Sequence, residues 1–249
     1  MHNTIKQQSD SLIIIPTYNE KENVEAIIRH IFALQERFDI LVVDDNSPDK
    51  TSEIVKLLQN EFTNRLFLEI RDKKNGLGKA YIHGFKWALN HNYDFIFEMD
   101  ADFSHNPNDL PKLKQACLDG ADLAIGSRYI NGINVVNWPM QRVLLSYFAS
   151  IFVRLVTKMD INDTTAGFKC YKRKVLEGIN LDRIKSSGYV FQIEMKFKAI
   201  EHGFKIKEIP IIFINRQKGK SKIKANKISE SIWSVIKLGI RKRLRLMKS

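Results

Sequence analysis

Acidic residues follow three apolar segments in the first half of the chain. Glu20 lies just beyond the first segment, Asp44 and Asp45 end the second, and Asp100 and Asp102 follow the third. Carboxylates that gather in one place repel one another unless a cation lies among them. A divalent metal ion that also binds a diphosphate is the simplest such cation, because hard oxygen ligands suit Mg²⁺ or Mn²⁺. A single DxD is weak evidence, since acidic turns are common, but three acidic strand ends together favour this chemistry.

The segments that must position these acids alternate between apolar runs and amphipathic stretches. The apolar runs predict strands over residues 11–16, 38–44, 65–70, 94–99 and 122–126, and the amphipathic stretches predict helices over 21–35, 51–60, 77–91 and 108–118. This alternation indicates parallel βαβ units with helices on both faces of the sheet. Ligands in such sheets bind beyond the carboxyl ends of the strands, so the acids are expected at one ligand-binding edge.

The second half of the chain is less regular. Residues 138–159 and 189–202 predict two further helices, and residues 205–214 predict one strand. The last segment, residues 227–249, combines an apolar stripe with seven basic residues. An amphipathic and basic segment of this kind is typical of a surface that meets anionic lipid.

Composition and charge narrow the classes of partner. Of the 249 residues, 44% are hydrophobic, which is enough to form a core and disfavours disorder of the main body. The formal net charge of +12 indicates an anionic partner. A nucleic-acid-binding module is disfavoured, because interleaved aromatic and basic motifs are missing and the strand-end acids would be unexplained. Cys117 and Cys170 have no CxxC spacing and are expected as reduced core thiols. Residues 1–10 are polar and do not resemble a signal peptide.

Seven short motifs follow one another in an informative order. They are PTYNE (16–20), VVDDNSPDKT (42–51), RDKKNGLGKAYIHGF (71–85), MDADFSH (99–105), GSRY (126–129), DTTAGFKCY (163–171) and RQKGKSK (216–222). The ordered set resembles the family 2 glycosyltransferases, specifically the dolichol- or polyprenol-phosphate mannose synthases. This resemblance implies an α/β GT-A fold, a Rossmann-like mixed and mostly parallel sheet with helices on both faces. It covers residues 11–225, so residues 1–225 are expected to form one catalytic domain.

The resemblance also implies roles on the donor side. The residues expected to contact the nucleotide-sugar are Pro16, Tyr18, Glu20, Asp45, Asp100, Ala101, Asp102, Arg216 and Lys222. Asp100 and Asp102 are expected to hold Mg²⁺ or Mn²⁺. Ser104 takes the position at which many relatives carry a metal-binding Gln, and it is the third expected ligand.

On the acceptor side, the resemblance implies that Arg128, Arg142 and Ser221 bind a phosphate. Arg128 joins Asp100 and Asp102 as the expected catalytic residues. The implied reaction is an inverting transfer of mannose from GDP-mannose to a polyprenyl (dolichyl-type) monophosphate. A lipid monophosphate is already ionised near neutral pH, so no dedicated base is needed, and positioning and electrostatics carry the step. The alternatives are a UDP-sugar donor, or a polysaccharide or protein as the acceptor.

Several residues allow two interpretations from the sequence. Asp44 and Asp45 either contact the ligand or cap the following helix. Asp163 either orients the acceptor side or caps a turn. His105 either touches substrate or serves the fold.

Two segments bear on membrane association. Residues 138–159 are long enough to span a bilayer, but their charges favour an amphipathic helix in the interface, with a buried core helix as the alternative. Residues 226–249 are expected to form a basic amphipathic membrane-surface helix, the alternatives being a solvated tail or one that packs on the core. The protein is therefore expected to be peripheral, on the cytoplasmic face of a membrane. A separate membrane-anchoring subunit is a further possible partner.

Overall fold

The computed structural model describes residues 9–216 and 232–240, and its centre is a seven-stranded sheet. The strands of this sheet are β1 (Ser11–Thr17), β2 (Asp39–Asp44), β3 (Leu66–Ile70), β4 (Phe95–Glu98), β5 (Leu123–Ser127), β7 (Lys169–Lys172) and β8 (Ile206–Pro210). Their spatial order is β3-β2-β1-β4-β7-β5-β8. Two short strands, β6 (Val135–Val136) and β9 (Phe213–Ile214), form a separate parallel pair.

Helices cover both faces of the sheet. The helices of the described residues are α1 (Val24–Phe32), α2 (Thr51–Glu61), α3 (Leu77–Asn90), α4 (Leu110–Leu118), α5 (Met140–Thr157), α6 (Arg173–Gly178), α7 (Gly188–Glu201) and α8, residues 232–240. Side chains of α1, α2 and α4 pack with one face of β1 and β2 in one apolar cluster. Side chains of α3, α6 and α7 pack with the other face in a second cluster. The prediction of a mixed, mostly parallel sheet between two helical layers is confirmed.

Strand β7 is a central strand that the apolar pattern of the sequence missed. It runs antiparallel to both β4 and β5, and its sequence KCYK contains two lysines. Lys169 is nevertheless fully buried, because it lies opposite Glu98 in the β4–β7 register and its Nζ donates to both carboxylate oxygens at 3.2 Å. A buried charge is tolerated when it is paired and hydrogen-bonded. The ion pair with Glu98 therefore allows a lysine at a buried strand position where the sequence pattern would call for an apolar residue.

The predicted single strand over residues 205–214 is divided in the structure. Strand β8 ends at Pro210, which has no N–H to donate to a sheet, and β9 begins at Phe213 in the other sheet. The chain thereby leaves β5 and pairs with β6 instead. This change of direction brings Asn215 and Arg216 over the carboxyl ends of the central strands, where both contact site residues.

Helices α5 and α8 pack against α7 in a third apolar cluster. Val235 and Leu238 of α8 contribute to it with Val153, Met159 and other side chains of α5 and α7. A Cβ on Gly239 would lie 2.6 Å from the carbonyl oxygen of Val156, so glycine permits this close approach of the two helices. The described part of the expected C-terminal helix thus packs on the core. Residues 226–231 and 241–249 lie outside the described residues.

Candidate active site

The carboxyl ends of the central parallel strands hold the acids that the sequence singles out. The two acids at the end of β2, Asp44 and Asp45, have different hydrogen-bond partners. The carboxylate of Asp44 accepts hydrogen bonds from the Thr17 hydroxyl at 2.7 Å and from the Ser47 N–H and hydroxyl at 2.8 and 2.6 Å. Its side chain is fully buried and serves to hold the two loops together. Asp45 instead accepts from Nε of Arg71 at 2.6 Å.

The loop after β1 carries the other residues expected near the nucleotide. Pro16 and Tyr18 are partly exposed, and Nζ of Lys74 lies 4.1 Å from the centre of the Tyr18 ring. Glu20 is buried, and its carboxylate accepts from the Asn23 side-chain amide at 2.9 Å. The edge of the sheet therefore presents an aromatic ring next to ordered carboxylates.

The DxD acids lie directly after β4, as expected. Asp102 is buried, and one oxygen accepts from the N–H and hydroxyl of Ser104 at 3.1 and 2.5 Å. Its other oxygen pairs with Arg216 at 2.6 Å. Burial alone raises the pKa of Asp102, but the Ser104 hydrogen bonds and the Arg216 charge outweigh burial and lower this pKa. Asp102 is therefore ionised. Ala101, which separates the two acids in the sequence, is buried.

Asp100 is the more exposed acid of the pair, with a side chain that is 39% accessible. Desolvation, followed by repulsion from Asp102, raises the pKa of Asp100 to about 7, and Arg216 opposes this shift. Among the described residues, the charge of one guanidinium, that of Arg216, acts on both carboxylates, which leaves them short of positive charge. This shortage is relieved when a further cation binds.

These residues fit a divalent metal whose coordination is completed by a donor. No group of three or more His, Cys, Asp or Glu side chains that could hold a metal occurs within residues 9–216 and 232–240. Asp100 and Asp102 offer two hard oxygen ligands. Mg²⁺ commonly binds through one or two carboxylates together with substrate phosphates. The Ser104 hydroxyl donates its hydrogen to Asp102. Its expected role as a third metal ligand stays a prediction.

His105 supports the turn that carries the acids. Its Nδ1 accepts from the N–H of Asp100 at 3.2 Å, and its ring stacks on Phe168 with centroids 4.9 Å apart. Burial lowers the pKa of His105 to about 4, so the ring is neutral and Nδ1 is an acceptor. This imidazole links the DxD turn to the segment before β7.

Arg128, after β5, forms a closed ion pair with Asp163. Its Nε and Nη2 each donate to the Asp163 carboxylate at 2.6 Å, and its N–H donates at 3.0 Å. Nη2 also donates to the Thr165 hydroxyl at 2.8 Å. Burial lowers the pKa of Arg128 and raises that of Asp163, but mutual attraction reverses both shifts. Asp163 therefore fixes the orientation of the Arg128 guanidinium, and the pair carries little net charge. Its expected role on the acceptor side stays a prediction.

Aromatic side chains that the sequence interpretation passed over join the arginines. The Arg142 guanidinium lies 3.9 Å from the Trp138 ring centre, and Arg128 lies 5.5 Å from it. Phe213 packs edge-on against Trp138, and Nη1 of Arg142 donates to Asn215 at 2.8 Å. Trp138 lies two residues before α5, the helix that carries Arg142, and it opens the segment 138–159 that the sequence predicts as a helix. Ser221 and Lys222, two expected phosphate contacts, lie outside the described residues.

Comparison with known proteins identifies the family. The glycosyl transferase family 2 model matches residues 12–179. The chain is 44% identical to a polyprenol monophosphomannose synthase of Mycolicibacterium smegmatis over 241 residues, 97% of this chain and 91% of that protein. It is 40% identical to an undecaprenyl-phosphate mannosyltransferase of Micrococcus luteus over 232 residues, 93% of this chain and 95% of the other.

Solved structures share the fold at low sequence identity. Mannosyl-3-phosphoglycerate synthase from Rubrobacter xylanophilus superposes with a TM-score of 0.67 at 18% identity, covering 96% of this chain and 74% of that one. Glucosyl-3-phosphoglycerate synthase from Mycobacterium tuberculosis, solved with Mn²⁺, UDP-glucose and phosphoglyceric acid, gives a TM-score of 0.65 at 15% identity. That match covers 93% of this chain and 78% of the other. The fold is the GT-A fold.

Proposed function

Because the chain belongs to glycosyl transferase family 2, we propose that this glycosyltransferase moves mannose from GDP-mannose to a polyprenyl (dolichyl-type) monophosphate at a membrane surface. The names of the two relatives above support both the mannosyl group and the lipid phosphate. Their identity extends over nearly the whole chain, so it includes the acceptor side as well as the nucleotide side.

The observation that carries the proposal is the convergence of acids and guanidinium groups in one place. Arg216 contacts Asp102 at 2.6 Å and lies 4.0 Å from Glu20, while Arg128 and Arg142 share the Trp138 ring next to it. A transferase that joins a nucleotide diphosphate to a lipid phosphate must bring two anions together. Guanidinium groups beside a carboxylate metal site meet this need through electrostatics and positioning.

On the donor side, Asp100 and Asp102 would hold Mg²⁺ or Mn²⁺, which supplies Lewis-acid stabilisation of the leaving diphosphate. Arg216 lies on Asp102 and is placed to contact the same diphosphate. Pro16, Tyr18 and Asp45 border the space proposed for the nucleoside.

On the acceptor side, Arg128 and Arg142 would hold the lipid phosphate, whose ionised oxygen attacks the anomeric carbon with inversion. Asp163 is not available as a base, because Arg128 occupies both of its oxygens. The chain's contribution is to hold the nucleophile in line with the departing group, a form of catalysis that depends on geometry.

We further propose a peripheral location on the cytoplasmic face of a membrane, and helix α5 supports the contact with a membrane. Among the described residues, it is the one helix that is long and apolar enough to cross a bilayer, yet only 22% of the helix is buried inside the protein. Leu145 and Phe148 are 60% and 59% exposed, and Arg142 lies on the same helix. An amphipathic helix in the interface would place this apolar surface in lipid and keep its arginines near phosphates. A separate membrane-anchoring subunit is a further proposed partner.

A matrix of donors and acceptors tests the proposal. Purified enzyme is incubated with radiolabelled GDP-mannose, UDP-glucose or UDP-N-acetylglucosamine, and with polyprenyl phosphate, a polysaccharide or a peptide, with Mg²⁺ or Mn²⁺. We expect label in the lipid extract for GDP-mannose with polyprenyl phosphate, and none when EDTA is in excess. Transfer from a UDP-sugar alone would overturn the donor. Label in the polysaccharide or peptide alone would overturn the acceptor.

A further inference from the structure

A buried lysine lies behind the acceptor side of the site. Lys196 of α7 is 0% exposed, and its Nζ donates to the carbonyl oxygens of Thr164 and Ala166 at 2.9 and 2.8 Å. A third, longer bond of 3.4 Å goes to the carbonyl of Gln192 in its own helix. The ammonium therefore ties helix α7 to the segment of residues 163–167.

Lys196 differs from the other fully buried lysine. Lys169 is paired with Glu98, whereas no carboxylate within residues 9–216 and 232–240 forms an ion pair with Lys196. Burial, together with repulsion from Lys169, lowers the pKa of Lys196 well below its ordinary value. An ammonium buried on carbonyl groups alone is costly for a fold, and α7 could fill the same volume with methionine.

The segment that Lys196 holds touches both sides of the site. Asp163 forms the bidentate pair with Arg128, and Thr165 accepts a further hydrogen bond from the same guanidinium. Phe168, just after the segment, stacks on His105, which accepts from the N–H of Asp100. A displacement of residues 163–167 would therefore move Arg128 and, to a smaller extent, the DxD turn.

We propose that Lys196 is a positioning residue for the transfer, and that its ammonium fixes residues 163–167 so that Asp163 aims Arg128 at the acceptor phosphate. The kinetic part of this inference rests on the proposed lipid-phosphate acceptor. Lys196 acts through Asp163 and Arg128 and touches neither substrate. Its effect on turnover therefore requires Arg128 to be present.

The test compares Lys196→Met and Lys196→Arg with Lys198→Met, a matched change on the same helix whose ammonium pairs with Glu201. In Lys196→Met we expect kcat/KM for polyprenyl phosphate to fall about 10- to 100-fold, the range for a small misplacement of a reacting group. The dissociation constant for GDP should change less than about twofold. Lys196→Arg should recover part of the loss, and Lys198→Met should resemble the wild type.

A double-mutant cycle separates positioning from general stability. If Lys196 acts through Arg128, adding Lys196→Met to Arg128→Ala should cause little further loss of turnover, because coupled residues are not additive. Equal losses in both backgrounds, or a parallel loss of GDP binding, would overturn the proposal. So would failure of both Lys196 variants to fold, since the lysine would then serve the whole fold.

Amide hydrogen exchange provides a readout that does not depend on the substrate. In Lys196→Met, the amides of residues 163–167 should exchange about tenfold faster than in Lys198→Met, because local opening is easier without the carbonyl contacts. Unchanged exchange would overturn the inference. If the wild type transfers nothing to polyprenyl phosphate, the proposed function fails, while the exchange result still decides whether Lys196 holds the segment.

Discussion

The proposed donor side, around the DxD turn, and the proposed acceptor side, around Arg128, carry charge in different ways. On the donor side, Arg216 pairs with Asp102, its charge also acts on Asp100, and Asp100 is partly exposed. On the acceptor side, Arg128 and Asp163 are both buried and make three hydrogen bonds to one another. Among the described residues, the donor side thus keeps more carboxylates than cations around the DxD turn, whereas Arg128 on the acceptor side is neutralised by its own partner.

This difference shows how one cleft can receive two anionic substrates. In the proposed function, a divalent metal ion would supply the positive charge that the donor side lacks and would bind the diphosphate. The acceptor side is shaped before its ligand arrives, by the ion pair, by the aromatic rings of Trp138 and Phe213 and by Lys196 behind residues 163–167. Charge should therefore matter most on the donor side, and geometry on the acceptor side.

The largest expected effect on turnover comes from removing a donor-side charge. Asp102→Asn should reduce kcat at saturating donor by about 100-fold or more, the scale for losing one preorganised electrostatic group. The fold should persist, because asparagine keeps the size of the side chain. Steady-state kinetics with Mg²⁺ or Mn²⁺, beside circular dichroism, provide the measurement.

Asp109→Asn is the matched control, because Asp109 pairs with Lys112 away from the DxD turn. Its turnover should match that of the wild type. Full activity of Asp102→Asn, or of the wild type in excess EDTA, would remove the metal role from these acids.

The next effect tests the internal neutralisation of the acceptor side. Asp163→Asn leaves the Arg128 charge buried without its partner, so the free energy of unfolding should fall by about 3–5 kcal/mol. Urea denaturation measures this loss. Asp160→Asn is the control, since Asp160 is fully exposed and should cost almost nothing. A loss equal to that of the control would mean that solvent already screens the Arg128–Asp163 pair.

Membrane binding sharpens the comparison, because the exposed apolar face lies on α5, the helix that carries Arg142. Leu145→Ser combined with Phe148→Ser should reduce co-sedimentation with anionic vesicles by about tenfold or more, given roughly 1.5–3 kcal/mol for each fully buried side chain. Leu57→Ser, at a still more exposed apolar residue of α2, should have no effect. Equal vesicle binding by the wild type, the double variant and Leu57→Ser would mean that the apolar face of α5 does not contact the membrane.

The smallest expected effect concerns Arg216. Because this guanidinium contacts Asp102, it should compete with a metal ion in the absence of nucleotide. Arg216→Gln should therefore bind Mn²⁺ about fivefold more tightly, equivalent to about 1 kcal/mol for a partly exposed pair. Its turnover should nevertheless fall, because a contact to the diphosphate is lost.

Electron paramagnetic resonance of free Mn²⁺ measures this affinity directly. Arg29→Gln, which removes an exposed ion pair on α1, is the control and should leave Mn²⁺ binding unchanged. Weaker Mn²⁺ binding by Arg216→Gln would contradict competition at Asp102.

Sequence patterns were reliable where a single element decided the outcome. The apolar runs predicted β1, β2 and β4, and chain order alone placed Asp45 and Asp102 at their carboxyl ends. The ordered motifs predicted the glycosyltransferase fold and family, which the family match confirms. These features are local, because hydrophobic periodicity and motif spacing reside in short segments of chain.

Only the tertiary structure decided which charged groups meet. The pairs Arg128–Asp163 and Arg216–Asp102 join residues far apart in the chain, and Lys169 is buried only because Glu98 lies opposite it. Asp44 and Asp45 are adjacent in sequence, yet one binds its neighbouring loops and the other binds Arg71. A side chain's partners depend on the packing of distant elements, and no local pattern encodes that packing.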